Sequence, residues 1–149
     1  MIAADLVEST DHGAGLTMAS LSKTTLDSLR QVVPGFSSVA NPVDLTAAVT
    51  DEMYDAVLGI LQDDLGIDGI MMSLELQPPN ISDVLVEVAE RRSRSGKTPI
   101  VVSTFAGERT DAIVRSYGER GVLAYPTIWR AVRALAALAR RGRYLIRQK

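Results

Sequence analysis

Three short runs of this chain are almost wholly apolar: Gly69–Leu74, Pro99–Val102 and Val122–Tyr125. Strands without polar alternation are buried on both faces, as in a parallel sheet. The runs therefore predict three sheet strands. The segments between them repeat their apolar residues at helical spacing. Val84, Leu85 and Val88 do so within Ser82–Arg94, and Ile113, Val114 and Tyr117 within Glu108–Arg120. Thr127 then caps a last helix carrying Ile128, Val132, Leu135 and Ala139. Alternating strand and helix predicts an α/β sandwich of three layers.

The first half is less regular. Ile2–Glu8 places Ile2 and Leu6 on a helical period with no cap before them, so a helix is already under way there. A polar break at Ser9–Gly15 leads to a short strand at Leu16–Ala19. Ser22 or Lys23 opens a helix through Val33, and Pro34-Gly35 stops it. Thr50 suits an N-cap, with Asp51 and Glu52 at the positive end of the following helix. Met53, Val57, Ile60 and Leu61 form that helix's buried stripe.

Between these two helices lies Ala40-Asn41-Pro42-Val43-Asp44-Leu45-Thr46. Pro42 fixes its own φ and keeps Asn41 out of the helical region. Asn41 and Asp44 can each fold a side chain onto nearby backbone N–H groups. The spacing fits a structural turn, and it fits equally a polar loop at a ligand-facing sheet edge.

Size and composition narrow the class. A chain of 149 residues, 46% hydrophobic and 23% charged, suits one compact domain with a real core. No apolar run approaches the ~20 residues of a membrane span. The N-terminus lacks the basic and apolar regions of a signal peptide. The absence of cysteine excludes disulfides, thiolate metal sites and a cysteine nucleophile. A cytoplasmic protein is expected. Charge is segregated: Thr127–Lys149 holds seven basic residues and no acidic one, leaving nine basic and eighteen acidic residues on the remainder. A basic end on an acidic body suggests a docking surface. Nucleic acid is disfavoured as the partner, because only Trp129 and Tyr144 could stack bases there.

Ligands of open α/β sheets sit at the carboxyl ends of the strands. Those ends are Glu75–Pro78, Ser103–Gly107 and Pro126-Thr127, and none carries a histidine, an acid pair or a metal-ligand cluster. The candidates are the loop residues Asn41, Asp44 and Thr46 and the strand-end residues Glu75, Thr104 and Thr127. No catalytic, cofactor-binding or metal-binding residue is assigned. His12 falls in a helix-to-strand connection, at the opposite edge of the sheet, without an acid partner; it reads as an exposed loop histidine.

The order of the pieces carries a family signature. Ala3-Ala4-Asp5 is followed by Gly15-Leu16, by Ser20-Leu21-Ser22 and by Ser38–Thr46 with its Asn-Pro-Val-Asp-Leu core. Then come Gly66-Ile67-Asp68-Gly69, Pro78-Pro79, Gly96-Lys97-Thr98-Pro99, Tyr125-Pro126-Thr127 and Arg130–Leu135. This sequence resembles the flavodoxin-like, succinyl-CoA ligase-like domain of the NDP-forming acyl-CoA synthetases. The family interconverts acyl-CoA, phosphate and ADP with free acid, CoA and ATP. A histidine on a neighbouring domain carries the phosphoryl group. The resemblance implies CoA and ATP or ADP for a whole enzyme but no cofactor in this chain. It implies CoA-binding and ATP-grasp domains or subunits as partners.

In that family a strand and a Gly-Gly loop precede the Ala-Ala-Asp helix, and here Met1 stands where the loop would end. The expectation is a mostly parallel flavodoxin-like sheet lacking its first strand. Residues 1–142 form the domain and 143–149 a basic tail. The resemblance implies a domain or fragment of an acid–thiol ligase, expected to scaffold the phosphohistidine site and to be inactive as an isolated chain. The alternatives are a regulatory or binding module associated with an acyltransferase, or a stand-alone flavodoxin-like binding protein. In spatial order 2-1-3-4-5 the first strand is interior, so something should fill its place. The tail Arg143–Arg147, as a short strand from the same or a second copy, is one candidate. A homodimer is expected.

Overall fold

The computed structural model describes residues 15–75, 84–96 and 98–148. The expected Ile2–Glu8 helix and His12 lie outside them. The described elements are α1 (Lys23–Val32), α2 (Asp51–Asp63), β1 (Ile70–Glu75), α3 (Val84–Ser95), β2 (Ile100–Phe105), a 3-10 turn at Gly107–Arg109, α4 (Thr110–Glu119), β3 (Leu123–Tyr125) and α5 (Ile128–Arg147). The helix starts follow from their caps. Ser22 Oγ accepts from Thr25 N at 3.1 Å, Thr50 Oγ1 from Met53 N at 3.2 Å, and Thr127 Oγ1 from Arg130 N at 3.3 Å. Each hydroxyl satisfies an amide that has no partner inside its helix.

Among the described residues the sheet has three parallel strands in the order β1-β2-β3. The register runs from Ile70 opposite Ile100 to Glu75 opposite Phe105, then from Val101 opposite Leu123 to Ser103 opposite Tyr125. Sequence order equal to spatial order is the 3-4-5 half of a flavodoxin-like sheet. Met72, Leu74 and Val102 face one layer, packed with Leu58 of α2, Leu85 and Val88 of α3, and Ile113 and Tyr117 of α4. Val101 faces the other, packed with Ala131 and Leu135 of α5. The period-2 alternation of strand side chains thus fills both faces with apolar groups. A third cluster of Leu29, Val33, Leu45, Val49 and Val57 joins α1 and the 33–49 connection to α2.

Polar ties fix the helices on the outside. Arg91 and Arg92 of α3 reach Asp55 of α2 at 2.9 and 2.6 Å. Arg120, beyond α4, reaches Glu90 of α3 at 2.8 Å. Gly59 makes room for the first of these ties: a Cβ there would lie 2.8 Å from the Arg92 guanidinium. Among the described residues no helix is long and apolar enough to cross a membrane.

Three expectations change. Leu16–Ala19 forms no ladder, although Leu16 and Ala19 pack against opposite faces of the sheet. A strand is made by its partner more than by its own preference, and here the Ala19 carbonyl is taken by the Asn41 side chain instead. The basic tail is not a strand: α5 runs unbroken through Arg147. Extending a formed helix adds one hydrogen bond per residue, whereas a new strand needs a new partner. Thr104 is not in a loop, because β2 extends to Phe105.

Candidate functional site

The Asn41–Thr46 loop is held by its own polar groups. Asn41 Nδ2 donates to Ala19 O at 2.9 Å. Asp44 Oδ1 accepts from Thr46 N at 2.9 Å, while Asp44 N donates to Ser38 O at 2.9 Å. The Asn41-Pro42 peptide is cis, and Thr46 has a φ of 59°. A non-glycine residue in this left-handed region is strained. The Asp44 carboxylate meets the Thr46 amide there and offsets part of the strain. The loop lies by the first turn of α2, where the Asp44 carboxylate acts on Tyr54. Burial, then that negative charge, pushes the Tyr54 phenol up to about 12.

The strand-end candidates have their own surroundings. Glu75 ends β1, and Thr104 lies next to it in the sheet through the Leu74–Thr104 pairing. Thr104 is 1% exposed and its hydroxyl has no hydrogen-bond partner, while Glu75 is exposed. Thr127 is spent on capping α5. Among the described residues no hydrogen bond joins Asn41, Asp44 or Thr46 to Glu75, Thr104 or Thr127. Asn41, Asp44 and Thr46 make a braced loop, and Glu75, Thr104 and Thr127 mark the ends of the strands. Among the described residues no three acidic or histidine side chains could share a metal ion.

An open cleft of about 540 Å³ flanks the start of α5, lined by Tyr125, Trp129, Arg130, Arg133 and Ala134. The Arg133 guanidinium lies 5.9 Å from the Trp129 ring centroid, within cation–π reach. The basic run at the chain's end signalled a docking surface but not this cleft. Tyr125 of β3 lines it because α5 starts only three residues later.

A second polar centre escaped the sequence reading altogether. Asp64, just past α2, accepts from Thr25 Oγ1 at 2.6 Å, Ser22 N at 3.0 Å and Gly66 N at 2.9 Å. The Thr25 hydroxyl, then the Ser22 and Gly66 amides, lower its carboxyl from 3.8 to about 2. It ties the start of α1 to the end of α2. Asp55 is lowered too: burial raises it, but the hydrogen bonds and charges of Arg92 and Arg91 outweigh that. Both carboxylates are spent on holding helices together.

The fold has known counterparts. The family model of the Ligase-CoA domain matches residues 4–146. This chain belongs to that family. The Ligase-CoA domain here is 25% identical over 121 residues to the alpha subunit of acetate–CoA ligase [ADP-forming] I of Pyrococcus furiosus, covering 78% of this chain and 26% of that one. It is 30% identical over 109 residues to the alpha subunit of acetate–CoA ligase [ADP-forming] II of the same organism, covering 70% and 18%. The chain thus spans about a quarter or less of those relatives. The solved dinucleotide-forming acetyl-coenzyme A synthetase 1 of Ca. Korarchaeum cryptofilum superposes with a TM-score of 0.80 at 21% identity, over 98% of this chain and 32% of that one. That likeness is one of fold. The Ligase-CoA domain match runs through the Asn41–Thr46 loop and the Tyr125–Thr127 connection alike.

Proposed function

We propose that this Ligase-CoA domain is the part of an NDP-forming acyl-CoA synthetase that scaffolds the phosphohistidine site and does not catalyse alone. The observation that carries the reading is the family match over residues 4–146, on a chain that covers 26% and 18% of two ADP-forming acetate–CoA ligase subunits. In this reading CoA-binding and ATP-grasp domains or subunits of the same cytoplasmic enzyme hold CoA and ATP or ADP. The braced loop of Asn41, Asp44 and Thr46 acts as a rigid shelf, because its polar side chains are committed to its own backbone and to Ala19. Of the strand-end residues, Glu75 is exposed and available to the same assembly, while Thr104 is buried in β2 and Thr127 caps α5.

The test is reconstitution. An ADP-forming acetate–CoA ligase with its own Ligase-CoA segment deleted is mixed with this chain, and acetyl-CoA formation from acetate, CoA and ATP is followed. Thioester is expected from the mixture and not from this chain by itself. Thioester made by the isolated chain, and kept by a His12→Ala variant, would overturn the scaffold reading.

A further inference from the structure

The start of α5 goes against its own electrostatics. A helix N-terminus carries partial positive charge and favours carboxylates in its first turn. Three of the described helices follow this, with Asp51 and Glu52 on α2, Glu87 on α3 and Asp111 on α4. Helix α1 has no acid in its first turn, but its Lys23 is paired with Asp27. Helix α5 has no acid there either, and it places Arg130 as its third residue and Arg133 one turn further on. Both side chains are exposed, and among the described residues neither has a carboxylate partner.

These charges meet in the open cleft. Arg130 and Arg133 line it together with Tyr125, Trp129 and Ala134, and its volume of about 540 Å³ falls within the roughly 300–1,000 Å³ of small-molecule sites. The cleft lies past the carboxyl end of β3, the side on which open α/β sheets take their ligands. Arg133 is held over the Trp129 ring. Cation–π attraction uses none of a guanidinium's five N–H donors, so the fork stays available to an acceptor. A positive helix end and two guanidinium forks without an anion, beside two aromatic rings, suit a ligand that is anionic at one end and flat at the other.

We propose that this cleft binds a nucleoside diphosphate. Arg130 and Arg133 are three residues apart on one helix, which puts their Cβ atoms about 5–6 Å from each other. Two forks offer more donors than the two oxygens of one carboxylate can use, and their planar geometry matches phosphate oxygens bidentately. A diphosphate lies across both. The base stacks on Tyr125, whose ring carries no cation among the described residues, beside Trp129, whose ring already carries Arg133. The site does not depend on the ligase reading: it is detected by binding to this chain alone, whereas that reading stands or falls on thioester formed in a mixture.

Trp129 is the single tryptophan of the chain, so its fluorescence reports on this cleft. ADP, inorganic pyrophosphate and adenosine are titrated separately into the full chain, with excitation beyond the absorption of the nucleotide and calorimetry in parallel. ADP should bind saturably and more tightly than pyrophosphate, and adenosine should bind weakest. Arg130→Gln and Arg133→Gln should each raise the ADP Kd by roughly tenfold or more. Tyr125→Leu should raise it about fivefold or more and leave the pyrophosphate Kd unchanged. Circular dichroism and melting check each variant, and the two arginines, being exposed, keep the test open if Tyr125→Leu fails to fold. The proposal is overturned by no saturable response to ADP in either measurement, by pyrophosphate or adenosine binding as tightly as ADP, by a polyglutamate peptide binding as tightly as ADP, or by ADP affinity unmoved in both arginine variants.

Discussion

Two sets of charged groups are handled in opposite ways. At the α1–α2 corner the Asp64 carboxylate takes three donors from its own chain and is lowered to about 2. On the last two turns of α5, the exposed Arg140, Arg143 and Arg147 donate to no acceptor among the described residues. A charge satisfied at home holds helices together, and its loss is felt as stability. A charge left unsatisfied on an exposed helix adds little to folding and is free to meet another surface. The same contrast separates the Asn41–Thr46 loop, closed on its own backbone, from the open cleft of Trp129, Arg130 and Arg133.

The sharpest way to test where α5 stops belonging to the body is Leu135→Ala. Leu135 is buried against Val101 and Ala131, and its truncation should cost about 2–4 kcal/mol in urea unfolding. A loss under about 1 kcal/mol would mean that the helix is less firmly seated than its packing implies.

Asp64→Asn comes next and carries a signature in pH. The folded carboxyl is lowered from 3.8 to about 2, so its stabilisation is present above pH 3.8 and is lost as pH falls through about 2. The variant should melt lower at neutral pH and show a flatter acid limb between those two values. An unchanged acid limb would detach Asp64 from the corner.

Asp44→Ala should cost on the order of 1 kcal/mol, as loss of a comparable side-chain cap does. Melts identical to the parent, together with weaker binding to a partner domain, would move Asp44 from bracing to recognition. The same substitution removes one of the two causes that raise Tyr54. In the parent, stability is present below the ordinary tyrosine value of 10.0 and is lost as pH rises through about 12. In Asp44→Ala that alkaline loss should complete at lower pH. A spectrophotometric titration of the phenol reads it directly.

The smallest effect is expected at Arg140→Ala. This side chain is exposed and has no partner among the described residues, so stability should stay within about 0.5 kcal/mol of the parent. A larger loss would show that the exposed last turns of α5 are not separable from the fold.

Much of the architecture was legible along the chain. Ser22, Thr50 and Thr127 are recognisable caps, and each accepts the amide expected of it. The three apolar runs are the three strands, with ends moved by a few residues. These features are local: a cap is read within three residues, and a buried parallel strand needs no alternation. The Asn-Pro-Val-Asp-Leu motif and the order of the pieces were enough to indicate the family, because order along a chain survives where single residues change.

Tertiary structure alone decided what depends on partners distant in sequence. Leu16–Ala19 has the composition of a strand, yet a strand exists only with a neighbour, and its Ala19 carbonyl bonds Asn41. Arg143–Arg147 has residues that suit a strand, but the helix it continues was already paid for in nucleation. Asp64 meets Thr25 across 39 positions, and Arg92 meets Asp55 across 37; no periodicity announces such pairs. Whether a charge is spent inside the molecule or left for another one is a property of the assembled surface, since only folding determines which opposite charge comes within reach.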